Sequence, residues 1–263
     1  MINQKFIPFF VILGGSILLL ISFGIRHSFG LYLLPISNFL GTGREVFGLA
    51  SALQVLMIGI GSPLFGGLSD KIGAGKASFL GIVITLLGLL WMSNVETSFD
   101  IIASQTLYGL GAAGCGTAVV LGAVGRSVNA ENRTLFLGIV MAAGSFGQFI
   151  MVPFAGYLIE ISGWPQSLMY LFYIASIMLI FSFLLNFSGI SEASKAGTNQ
   201  TIKNALKEAF QSKSFNLLSL GFFVCGFHVT FVAVHLPAFI EDQNLPFWVG
   251  GWSLALIGIF NVI

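Results

Sequence analysis

Gly66-Gly67-Leu68-Ser69-Asp70-Lys71-Ile72-Gly73-Ala74-Gly75-Lys76 separates two apolar runs, 46–66 and 77–95. Each run is close to the roughly 20 residues that a helix needs to cross a hydrocarbon core about 30 Å thick. The short segment between them therefore reads as the turn of a membrane hairpin. Its glycines permit a tight reversal. Asp70 and Lys71, at a helix end, are placed for dipole and ion-pair contacts that can lock helix bundles together.

The same grammar repeats along the chain. Spans are expected at 6–34, 46–66, 77–95, 99–125, 134–158, 167–187 and 214–240, with an eighth beginning near 247. The breaks between them carry Gly41 to Glu45, Ser69 to Lys71, Asn94 to Thr97, Asn129 to Arg133 and Gly163-Trp164-Pro165. Composition agrees: 56% of the 263 residues are apolar and 8% are charged, against about 25% charged in a soluble domain. An ordinary soluble enzyme and a disordered chain are excluded. A net charge of +1 offers no basic surface for nucleic acid. Cys115 and Cys225 lie far apart with no CxxC or Cys/His neighbour, so disulfide frameworks and zinc sites drop out. No metal, cofactor or nucleophile–base arrangement is implied. Ten-residue segments of alternating polarity are missing, which argues against a β-barrel. The run from Phe6 to Leu34 is too long for a signal-peptide core and reads as the first span.

Loop cations set the orientation. With the N-terminus cytoplasmic, nine fall inside: Lys5, Lys71, Lys76, Arg126, Arg133, Lys195, Lys203, Lys207 and Lys213; only Arg44 falls outside. The segment 188–213 is polar, and within it Ile202, Ala205, Leu206, Ala209 and Phe210 follow helical spacing. An amphipathic helix on the inner membrane surface is expected there. The domains are then a six-helix bundle over 1–187, a cytoplasmic linker over 188–213, and the start of a second bundle over 214–263. A shift of 202 positions lays Gly24 on Gly226, Phe29 on Phe231, Leu34-Pro35 on Leu236-Pro237, Gly48 on Gly250 and Ser51 on Ser253. Parallel repeats of this kind are one known transporter plan.

The 66–76 segment resembles the G-x-L-[AS]-D-[RK]-x-G-[RK]-[RK] loop signature of the major facilitator superfamily. Gly66, Leu68, Ser69, Asp70, Lys71 and Gly73 match; Ala74 and Gly75 depart, and Lys76 restores a base. Gly109-Leu110-Gly111, Gly114 and Gly116 resemble the glycine-rich fourth helix of that family. Gln105 stands where that helix often has arginine, so no ion pair from that position to Asp70 is expected. Gly144, Gly147, Pro153 and Gly156 in span 5, Gly163-Trp164 beyond it, and Arg26-His27-Ser28-Phe29-Gly30 in span 1 are similar to the monocarboxylate-porter branch and its bacterial relatives. The resemblance implies an all-α integral membrane protein of the bacterial inner membrane. It implies two bundles that alternate access to a midplane solute site, and a small monocarboxylate or related organic anion moved with protons. Gly109, Gly111, Gly144, Gly147 and Pro153 are expected in helix packing.

Arg26 and His27 lie about two thirds along span 1. An arginine near mid-bilayer costs at least about 2.5 kcal/mol, so it either faces a cavity as an anion-attracting cation or snorkels to headgroups. Pro35, nine residues or roughly 13 Å onward, is expected to mark the surface. His228 and His235, seven apart, share a helix face, and Arg26 falls on His228 under the 202-residue shift; both histidines are candidates for proton coupling or for buried hydrogen bonding. Gln54, Asn38, Gln105, Tyr108, Gln148 and Tyr32 are expected in helix–helix contact or on a solute. Under the same shift Ile263 corresponds to Gly61, inside span 2, so a six-helix half plus helix 7 and part of helix 8 is expected, with a missing C-terminal half as partner. Three rivals stay open: another cargo (sugar, drug or neutral metabolite), a membrane-embedded enzyme, and a non-transporting half that pairs with another chain.

Overall fold

The computed structural model describes residues 6–189 and 202–262. All its regular structure is helical: α1 (Ile7–Ser28), α2 (Leu33–Leu40), α3 (Arg44–Ile72), α4 (Ala74–Met92), α5 (Ser98–Gly114), α6 (Thr117–Ser127), α7 (Arg133–Ser182), α8 (Ile202–Gln211), α9 (Lys213–Asp242) and α10 (Phe247–Phe260). Six helical stretches are long and apolar enough to cross a membrane, and α10 is a shorter apolar helix. One of the six, 130–188, changes direction where Gly163 leaves helical geometry at φ 78°, ψ 164°. Its two limbs match the spans expected at 134–158 and 167–187. Of the expected surface helix, α8 is present, while 190–201 lies outside the described residues.

The structure moves three boundaries. Span 1 does not close at Pro35: a 3-10 turn at Phe29–Tyr32 leads into α2, which runs to Leu40 and stops at Gly41. Pro35 occupies the first turn of α2, where a missing N–H costs no helical bond. The reversal after span 2 is made by Gly73 alone, at φ 95°, ψ 149°, a conformation closed to most side chains. Gly66 and the Ser69–Asp70–Lys71 stretch are helical, and the space around a Cβ at Gly66 is empty. Span 4 is interrupted at Cys115 and Gly116.

Small residues bring the helices together. A Cβ on Gly147 would strike the Leu20 carbonyl oxygen, and one on Gly24 the Met151 side chain, so α1 and α7 touch along their backbones. Gly109 lies against the Gln54 main chain, and Gly81 and Gly114 meet across α4 and α5 at 2.6 Å from a built Cβ. Lipid supplies no hydrophobic drive between helices, so this close packing supplies the cohesion. Thr97 and Asp100 start α5 with a capping box: the Asp100 amide donates to Thr97 Oγ1 at 3.2 Å and the Thr97 amide to Asp100 Oδ2 at 2.9 Å. Leu87 and Phe154 stand exposed on the outside of the bundle, as a lipid-facing surface requires.

The repeat reappears in the helix ends. Leu40 closes α2 and Asp242 closes α9, 202 positions apart. The far end of α9 packs on the first bundle, with the Ala233 carbonyl against Gly30, and Gly250 of α10 sits on Pro237. Residues 211–229 are exposed throughout. The two bundles therefore touch at the Arg44 end and diverge toward the Asp70 end.

Candidate functional site

A small cavity of about 20 Å³ opens where α1, α3 and α9 approach one another, lined by Arg26, His27, Ser51, Gln54, Thr230 and Val234 among others. Arg26 is half-buried, with its guanidinium carbon 5.8 Å from the Phe23 ring centroid. The extension of the helix to Leu40 puts Arg26 14 residues from that end, roughly 21 Å rather than 13 Å. The side chain is among those that line the cavity. His27 is 9% exposed, edge-on to Phe23 at 6.3 Å. Around them lies a buried polar cluster. Ser51 Oγ donates to Gln105 Oε1 at 3.2 Å. Tyr108 packs edge-on to Phe29 at 4.8 Å.

Beside this cavity an apolar groove of about 940 Å³ runs between α3 and α9, lined by Gly48, Val55, Pro63, Phe227, Phe231 and His235 among others. His235 is half-buried, its ring 5.1 Å from that of Phe231. His228 is exposed and lines neither space. The two histidines share a face, but α9 meets the first bundle only near its far end. The 202-residue shift thus does not set His228 opposite Arg26 across the cavity.

Two ion pairs occur among the described residues, one at each end of the molecule. Arg44 donates both terminal nitrogens to Asp242 at 2.6 Å, joining α3 to the last residue of α9. Arg126 donates to Asp70 at 3.1 Å, joining α6 to the end of α3. Gln105 accepts from Ser51 and is not the partner of Asp70. The partner is Arg126, 56 residues from Asp70 and readable in the sequence only as a loop cation. Lys71 and Lys76 are exposed. The Arg44–Asp242 contact was legible in principle, because the repeat places both hairpin tips at one end. Gln148 Nε2 donates to the Leu254 carbonyl at 2.8 Å, and the Tyr32 hydroxyl shares a 2.6 Å bond with Ser167. Both are helix–helix contacts. Among the described residues no group of three or more His, Cys, Asp or Glu could hold a metal ion.

Residues 10–263 match the model of the Major Facilitator Superfamily. The chain belongs to that superfamily. Similar curated proteins include the MFS-type transporter pynF of Aspergillus niger, 21% identical over 240 residues, covering 89% of this chain and 54% of pynF. Monocarboxylate transporter 11 of Mus musculus is 24% identical over 241 residues, covering 90% of this chain and 52% of its own length. The chain thus spans about half the length of these relatives. The crystal structure of a bacterial homolog of the human lysosomal transporter Spinster, inward-facing and unoccupied, aligns with a TM-score of 0.69 at 14% identity. It covers 98% of this facilitator chain and 60% of the homolog. That likeness concerns the fold: an all-α major facilitator bundle.

Proposed function

We propose that this facilitator chain forms the first bundle, and the start of the second, of a secondary transporter. It carries a small monocarboxylate or related organic anion with protons, by alternating access. The observation that supports this most is Arg26, a cation deep in span 1 that lines a cavity between the bundles. A guanidinium presents a planar fork that matches a carboxylate. The name of the murine relative, a monocarboxylate transporter, favours the same cargo class. His27 on the small cavity and His235 on the groove are the proton-coupling candidates, since an imidazole nitrogen can both take up and release a proton. The N-terminus and the 188–213 linker face the cytoplasm in this reading, by the excess of cations on that side. The divergence of the bundles at the Asp70 end then corresponds to an inward-open state.

Carboxylate uptake into proteoliposomes by the transporter with both bundles, carrying Arg26→Gln or Arg26→Lys, tests the reading. Gln is expected to nearly abolish uptake, and Lys, which keeps the charge without the fork, to retain part. Full uptake in the Gln variant would sink it. Undiminished uptake of a sugar or neutral metabolite, with no carboxylate uptake in the parent, would assign the protein to another cargo.

A further inference from the structure

A separate hollow of about 180 Å³ lies between the first limb of α7 and the start of α10, lined by Gly156, Tyr157, Glu160, Phe247, Trp248 and Trp252 among others. It belongs to the Arg44 end: Trp164, just past the break at Gly163, packs edge-on to Phe39 of α2 at 5.3 Å. Glycine makes the space. A Cβ on Gly156 would stand 3.7 Å from Phe247 Cε1, and one on Gly251 3.9 Å from Pro153 Cα. Four aromatic residues and one carboxylate remain around the hollow. Tyr157 and Trp248 are 57% and 58% exposed, as in the aromatic belts that collect at headgroup level. A belt accounts for the rings but not for a carboxylate among them. Glu160 makes no hydrogen bond or ion pair among the described residues, and Arg44, the loop cation of this end, is committed to Asp242. Glu160 also stands in the last turn before Gly163, where the helix dipole is itself negative. The first turn of α10 brings an opposite partial charge of about half a unit, so the full charge of Glu160 sets the sign of the hollow.

We propose that this hollow binds a quaternary ammonium group of the trimethylammonium type. Aromatic rings attract a cation to their faces, tryptophan most strongly, and Glu160 supplies the formal counter-charge. The volume, several times the roughly 30 Å³ share of a liquid water, suits a small organic group rather than a bare ion. The charge of such a group lies behind methyl carbons, so it gives up no hydrogen bonds on entering an aromatic lining. A primary ammonium is strongly hydrated and carries three donors, of which Glu160 could receive only part. Two sources share this chemistry: a free choline-like solute, and the phosphocholine head of a lipid at this face of the membrane. Tyr157 and Glu160 belong to the first bundle, Phe247, Trp248 and Trp252 to the second. An occupant therefore joins the two bundles at the Arg44 end. The site is apart from the Arg26 cavity and does not depend on the cargo.

The test observes the methyl protons of tetramethylammonium by saturation-transfer-difference NMR, with the two-bundle transporter in maltoside micelles. A saturable signal is expected, displaced by choline but not by neohexanol, its uncharged carbon isostere. Glu160→Gln and Trp248→Leu are each expected to weaken half-saturation about two- to five-fold, the range of an exposed ion pair and of an exposed cation–π contact. Trp248→Phe, which keeps a ring, is expected to weaken it less, and Arg26→Gln to leave it in place. Both Glu160 and Trp248 are exposed, so their variants should unfold at the parent's midpoint in maltoside. Displacement by dihexanoylphosphatidylcholine at lower concentration than by choline, with dihexanoylphosphatidylglycerol inert, assigns the site to a lipid head. The reverse order of choline and phosphatidylcholine assigns it to a free solute. The proposal is overturned by the lack of a saturable signal, by equal displacement with neohexanol, or by half-saturation unchanged in both Glu160→Gln and Trp248→Leu; the rings are then an aromatic belt only.

Discussion

Asp242→Asn in the two-bundle transporter removes the charge that receives both 2.6 Å bonds from Arg44. The two side chains are 45% and 44% exposed, so water and salt screen the pair. Its loss should shift an equilibrium by roughly two- to five-fold, the range of surface ion pairs, rather than a hundredfold. The bidentate geometry favours the upper figure. Because the pair joins α3 to the end of α9, it stabilises states closed at this end, and its loss moves population toward states open there. A thiol at position 51 reads that population: Ser51 is 4% exposed and lines both the cavity and the groove. In a Cys115/Cys225-replaced background, Ser51→Cys should react with a membrane-impermeant maleimide, added from the Arg44 side of sealed vesicles, about two to five times faster once Asp242→Asn is present. The difference should shrink near 1 M salt, where the screening length is about 3 Å. Exchanging the charges, Arg44→Asp with Asp242→Arg, should restore slow labelling. Unchanged or slower labelling in Asp242→Asn, or a charge exchange as fast as the single variant, would refute the assignment of this pair to closure.

Asp70→Asn should depress the transport rate more than the binding affinity, because Asp70 meets Arg126 at a helix end far from Arg26; weaker solute binding at normal turnover would contradict this. Gly147→Ala sets a methyl on the Leu20 carbonyl and should lower stability by about 1–3 kcal/mol, the usual cost of overpacking, in denaturant or mixed-micelle unfolding. Gly138→Ala, with nothing within 4 Å of the new carbon, should leave the unfolding midpoint in place. Single cysteines at Ser194 and Gly43 should label from opposite faces of sealed membranes; labelling of both from outside would overturn a cytoplasmic linker.

Hydropathy made the spans legible, since lipid leaves a helix few alternatives to a run of apolar residues. Their ends were less so. Pro35 has the look of a stop, yet a proline in the first turn of α2 interrupts no hydrogen bond, and only the conformation at Gly41 says where the helix finishes. Helix-face periodicity put His228 and His235 together, but periodicity does not say how far along a helix its neighbour extends. The Asp70–Arg126 pair and the Ser51–Gln105 bond join residues 56 and 54 positions apart. A single sequence carries no record of such distant meetings. Arg26 drew notice for the opposite reason: a charge inside an apolar run demands an explanation wherever it falls.

Gln148 holds α10 through the main chain of Leu254, not through its side chain. A backbone carbonyl has a second lone pair, so α10 gives up none of its own helical bonding to make the contact. The two sides of the seam are therefore unequal in what drift they tolerate. Leu254 is buried, so an apolar residue of similar size that keeps α10 helical can occupy position 254 and the contact persists, whereas position 148 must carry a donor of one length. The hydrogen bond itself thus asks for a particular side chain on the first bundle and only for a helical backbone on the second.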